Sequence, residues 1–202
     1  MLSFPNRSIV LAGCAGVLVG IFSIYALEKT DQWTSTDAFC GTGCHAMEAH
    51  VANEPAYLTS IHRTTATGIR AGCADCHIPE GLIAATWTHI TAGIRDSYSA
   101  LMHDFSTREA WNARRNAMAF RVRDWMLAND SETCRACHQR EALNPRRARG
   151  KRQHELAERQ GVTCIGCHFD LVHEPVRPRQ SFLERVQVRS VVASESARRS
   201  VQ

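Results

Sequence analysis

Eight of the nine cysteines fall in four short segments, and in each a histidine directly follows the second cysteine. The segments are Cys40-Gly-Thr-Gly-Cys44-His45, Cys73-Ala-Asp-Cys76-His77, Cys134-Arg-Ala-Cys137-His138 and Cys164-Ile-Gly-Cys167-His168. Two thiols on one loop with an imidazole beside them suit a haem, since the thiols add to its two vinyl groups and the imidazole reaches the iron. Zinc clamps and disulfides also use paired cysteines, but neither needs a histidine after every second one. The pattern therefore reads as four covalent haem c groups, with His77, His138 and His168 as proximal iron ligands. The first segment differs from the rest, holding three residues between its cysteines instead of two.

Thioether attachment takes place outside the cytoplasm, so the chain needs a route across a membrane. Ile9 to Leu27 is uncharged and mostly apolar, and at about 1.5 Å per residue it just spans a bilayer core of about 30 Å. Arg7 precedes this run and Glu28 follows it. The positive-inside rule then leaves the N-terminus in the cytoplasm and the haem segments outside, the arrangement of a single-pass protein of a bacterial inner membrane. Leu11-Ala12-Gly13-Cys14 resembles a lipoprotein cleavage site, but a cleavable signal carries its apolar stretch ahead of the cut, and here the stretch continues past Cys14. An uncleaved anchor is the favoured reading. Gly16 and Gly20, with Ala12, form a small-residue stripe that suits helix packing and is equally common in solitary membrane helices.

Residues 31–176 form the expected haem domain, mainly α with little or no sheet, following an anchor over 1–30. So short a chain builds only a small side-chain core, leaving the porphyrins to supply much of the buried apolar area. Periodicity predicts helices near 48–61, 82–103, 107–128 and 150–161. The Cys-His segments fall into two pairs, suggesting a duplicated two-haem unit with halves near 31–105 and 106–176. The remainder, 177–202, reads as a disordered basic tail. Arg146, Arg147, Arg149, Lys151 and Arg152 make a basic run that suits a solvated face or a docking patch for an acidic partner. A formal net charge of +4, without aromatics among the basic residues, argues against nucleic-acid binding.

Within 82–103, Ile83, Trp87, Ile90, Ile94, Tyr98 and Leu101 repeat at spacings of three and four, so they share one helical face. His89, Asp96 and His103 recur every seven residues on another. Small residues Ala85, Ala92, Gly93 and Ala100 border the polar stripe, where a flat ring could approach closely. A solvated face is the plainer explanation of such a stripe.

Several motifs together resemble the NapC/NirT/NrfH family of membrane-anchored tetrahaem quinol dehydrogenases. In the first half these are the short anchor, Phe39-Cys40 through Cys44-His45-Ala46-Met47, Ser60-Ile61-His62, Gly68-Ile69-Arg70-Ala71 and Cys76-His77-Ile78-Pro79. In the second they are Glu132-Thr133-Cys134, His154, Gly161-Val162-Thr163-Cys164 and His173. The resemblance implies oxidation of quinol from the membrane pool and electron delivery to a periplasmic reductase or soluble cytochrome, as a homo-oligomer or in complex with the reductase. It implies Met47 as the ligand of haem one, with His45 as the alternative, and His62 and His173 as distal ligands. His154 occupies a recurrent family position and stands as a ligand, a supporting group or a solvated histidine. Glu80 stands where some relatives carry a histidine, which leaves haem two open or completed by another protein. Asp96 and His89 match positions that in the family hold an aspartate beside haem one and a lysine at the quinol pocket, so they are the expected proton acceptors.

Two other classes fit the same haem segments. A pure electron shuttle would leave His89 and Asp96 without a role, and a multihaem enzyme acting on an oxyanion or hydroxylamine would need an open iron face in a polar pocket.

Overall fold

The computed structural model describes residues 7–187, and no strand occurs among them. Helix α1 (Arg7–Thr34) is the one described helix long and apolar enough to cross a membrane, and none of its residues is buried. Such a surface is stable only where something apolar surrounds it. The helix continues past the apolar run by nearly two polar turns, which carry Asp31 into the domain.

The haem segments ride on short helices. Thr36 caps α2 (Asp37–Thr42), its hydroxyl accepting the Phe39 N–H at 3.2 Å. Cys40 lies inside α2, and the chain then turns at Gly43, where an added Cβ would meet the Phe39 carbonyl oxygen at 2.4 Å, so that no larger residue fits. The next helical turn, α3, is His45–Met47. The helix expected over 48–61 is instead a π-helical turn, Glu48–Ala52, followed by the short α4 (Pro55–Leu58). Pro55 is the cause, because the residue before a proline is pushed to extended backbone, and Glu54 lies at φ −68° and ψ 128°.

The second segment forms α5 (Cys73–His77) and the third lies on α8 (Glu132–Cys137). The long helices occur where periodicity predicts them: α6 (Leu82–Met102), α7 (Arg108–Ala128, capped by the Thr107 hydroxyl) and α9 (Ala148–Arg159). A 3-10 turn, Cys164–Gly166, opens the fourth segment.

The core is small, as expected for so short a chain. Met126, Leu127, Ile165 and Phe182 form its centre, with Cys76, Trp125, Phe169 and Leu183 packed against them. Phe182 is 1% exposed and belongs to a helical stretch over 180–187. The reading of everything after 176 as a disordered tail is therefore corrected for 180–187, because one large aromatic gives this stretch an apolar anchor. Residues 188–202 lie outside the described residues.

Candidate redox site

One buried or half-buried polar side chain joins the two segments of each pair, and the same construction occurs twice. Three residues before Cys40, Asp37 accepts the Cys73 N–H at 2.8 Å and the Arg63 guanidinium at 3.1 Å. Three residues before Cys134, the buried Ser131 hydroxyl accepts the Ile165 N–H at 3.1 Å and the Thr163 hydroxyl at 2.7 Å. The Cys40 and Cys73 thiols are hydrogen-bond neighbours, as are those of Cys134 and Cys164. Burial works against ionisation of Asp37, but the Cys73 N–H and the Arg63 guanidinium outweigh it and hold the carboxyl below its usual range.

The histidines outside the segments pair with those inside them. His62 stands against His138 with ring centres 6.1 Å apart, His154 against His168 at 6.1 Å, and His173 against His77 at 6.3 Å. Glu54 orients His173: its side chain is 3% exposed and its Oε2 lies 3.2 Å from His173 Nδ1. Tyr57 stacks on the same ring at 6.0 Å, and Arg63 donates to the Tyr57 hydroxyl at 2.6 Å. His62 and His138 come from opposite halves of the domain, and so do His173 and His77, so the halves interlock rather than stand apart.

Burial, and then the neighbouring His173, pushes the His77 imidazole down to about 4. Burial followed by a neighbouring imidazole likewise lowers His62 and His168. A lowered pKa favours the neutral imidazole, which is the form that binds a metal.

The proposed proton acceptors do not meet each other. His89 on α6 bonds through Nδ1 to Asp31 at the top of α1, at 3.0 Å, with both side chains about one-fifth exposed. Its Nε2 is buried without a hydrogen-bond partner. Asp96 is 65% exposed and bonds to its neighbour Arg95 at 3.0 Å. Asp31 also lines a cleft of about 430 Å³ between the top of α1, the turn into α6 and the third haem segment, with Glu28, Gln32, Ile78, Leu82 and Ala85 on its walls. His45 is exposed and Met47 half-buried, both on α3. Among the described residues no second histidine ring stands opposite His45.

A family model described as the NapC/NirT cytochrome c family, N-terminal region, matches residues 5–178. The chain belongs to this family. It is 38% identical over 164 residues to a probable tetraheme cytochrome c-type protein of Nitrosomonas europaea, covering 80% of this chain and 67% of that one. It is 36% identical over 168 residues to cytochrome c-type protein NapC of Haemophilus influenzae, covering 82% and 79%. Over 181 residues it is 32% identical to the denitrification system component NirT of Stutzerimonas stutzeri, covering 86% of each. No solved structure matches. Membership makes haem c the cofactor of this NapC/NirT chain and membrane-anchored respiratory electron transfer its role.

The residues fit that cofactor. Two imidazoles bound on opposite sides of one metal, through bonds of about 2 Å, have ring centres about 6.3 Å apart. All three histidine pairs lie within 0.2 Å of that spacing. His173 stands opposite His77, the histidine of the second segment. Motif reading missed Glu54 and Asp31 because each acts on a histidine far along the chain. His50 escaped notice as well. Buried, it bonds through Nε2 to the Phe105 carbonyl at 2.8 Å and stacks on Trp111, tying the π-helical turn to the end of α6.

Proposed function

We propose that this chain is a quinol dehydrogenase, taking electrons from the membrane quinol pool and passing them to a periplasmic reductase or soluble cytochrome, with its N-terminus cytoplasmic. The observation that carries the reading is the Asp31–His89 pair beside a cleft where α1 leaves its apolar span. A quinol at the headgroup level of α1 would lie beside this cleft, and about 430 Å³ lies within the ordinary range of small-molecule sites.

Oxidation of one quinol yields a quinone, two electrons and two protons, so the site must accept both protons. The Asp31 carboxylate faces the cleft with His89 behind it. The pair offers two acceptor positions, an Asp31 carboxylate oxygen and the His89 ring nitrogen that is not bonded to it, so each can take one proton. Asp96, two turns further along α6 and open to solvent, passes protons to water. Haem, when bound, supplies one-electron iron chemistry at each Cys-His segment. His77 with His173, His138 with His62, and His168 with His154 would hold three of the irons, while Met47, or alternatively His45, would serve the first. The segment contacts, first to second through Asp37 and third to fourth through Ser131, hold the members of each pair together. The second and third segments approach at Cys76 and Cys137.

Full-length protein in liposomes, mixed with a reduced menaquinol analogue, tests the proposal by stopped-flow haem absorbance. Asp31→Asn should slow quinol-driven reduction by about 10²-fold, as expected for loss of a general base, while dithionite reduces the haems as before. His89→Gln and Asp96→Asn should each slow it by less. An unchanged quinol rate in Asp31→Asn and His89→Gln removes the site and leaves the chain a shuttle fed by another protein.

A further inference from the structure

We infer that α6 lies in the membrane surface, its outer face inserted among the lipids beside α1. Its apolar stripe has no partner in the fold: Ile83 is 86% exposed, Trp87 67%, Ile90 50%, Ile94 69%, Tyr98 63% and Leu101 85%. So large a continuous apolar strip marks an interaction surface on a protein in water. The stripe lies on the far side of the helix from His89, the residue that binds α1, and so faces away from the anchor.

Three attachments fix where this face lies. At its start α6 shares the cleft wall with Thr133 and Ala136 of α8. Just past its end the Phe105 carbonyl is held by His50, and Phe105 packs edge-on against Trp111. In between, His89 is tied to Asp31, one turn above Leu27, where the apolar run of α1 ends. Four residues of helix rise about 6 Å, which places the crossing in the headgroup layer, whose depth on each side of the hydrocarbon is about 5–7 Å.

A helix pinned to the domain at both ends and to the anchor at that height borders lipid on its free side. Its composition agrees. Trp87 and Tyr98 are the amphipathic aromatics that favour the interface, and Tyr25 and Trp33 flank the same level on α1. Arg95 and Asp96 pair with each other, so attachment rests on apolar burial rather than on charged headgroups. This inference concerns the lipid contact alone and stands whether or not quinol is the electron donor.

The test uses full-length, haem-loaded protein in liposomes of phosphatidylethanolamine and phosphatidylglycerol, with p-benzoylphenylalanine placed singly at Ile90, at Ile94 or, on the opposite side, at Ser99. Illumination followed by mass spectrometry should find phospholipid adducts at Ile90 and Ile94 at least about fivefold above those at Ser99, as expected if the apolar face sits in the acyl boundary. Raising the salt should leave them unchanged. Adducts to a second copy of the chain in place of lipid, adducts to another protein in native membranes, or lipid adducts no more abundant than at Ser99 would each overturn the inference. Haem absorption spectra confirm that every labelled protein is folded.

Discussion

Replacing Glu54 by glutamine removes one buried negative charge and little else, because the glutamine carbonyl can still accept from His173 Nδ1. Glu54 Oε2 lies 3.2 Å from that nitrogen, and the His173 and His77 ring centres are 6.3 Å apart. The midpoint between the rings is then about 6.5 Å from the carboxylate, and a unit charge at that distance is worth about 2.5 kcal/mol at an effective dielectric of about 20. For a one-electron couple this corresponds to about 0.1 V. The negative charge favours the oxidised, more positive iron, so its loss should raise the midpoint potential of one haem by about 0.1 V. Glu54 is buried, so added salt should screen little of the shift. Potentiometric titration of the Soret and α bands reads it directly, and EPR checks that the haem stays low-spin. If all four potentials stay within about 0.03 V of the parent, or if the shift falls on a haem retained after His77 is replaced, the pairing of His173 with His77 is refuted.

His154→Ala should convert one haem from low-spin to high-spin in the EPR spectrum without loss of covalent haem stain, and an unchanged low-spin count would place His154 outside the ligand set. Asp37→Asn should flatten the acid limb of the stability curve. The folded carboxyl titrates below its unfolded value of about 4, so its contribution is complete above that pH and lost as pH falls through the folded value. The parent should therefore lose stability on acidification where the variant changes less, as measured by urea unfolding at several pH values. Phe182→Ala removes the centre of the small core and should cost about 3 kcal/mol or more, lowering Tm by roughly 10 °C. A loss below about 1 kcal/mol would mean that 180–187 contributes little to the fold.

The covalent chemistry is legible in the chain because it is local. Two cysteines and a histidine within five or six residues carry their own geometry, as an apolar run carries its length and a 3.6-residue repeat its helix, so α6, α7 and α9 stand where periodicity puts them. Helix 48–61 failed as a reading because one proline outweighed the pattern around it, and the tail failed because a single aromatic, Phe182, decides whether 180–187 docks.

What only the tertiary structure decided is which histidine stands opposite which. Candidate distal ligands could be named from the family resemblance, but their partners could not, since the answer lies between residues far apart in the chain. His173 and the Glu54 that orients it are separated by 119 positions. His89 was marked by its place on a polar stripe, yet its companion proved to be Asp31 on the anchor rather than Asp96 on its own helix. Spacing within a helix specifies which side chains share a face. Which face meets which is settled only by packing the whole chain.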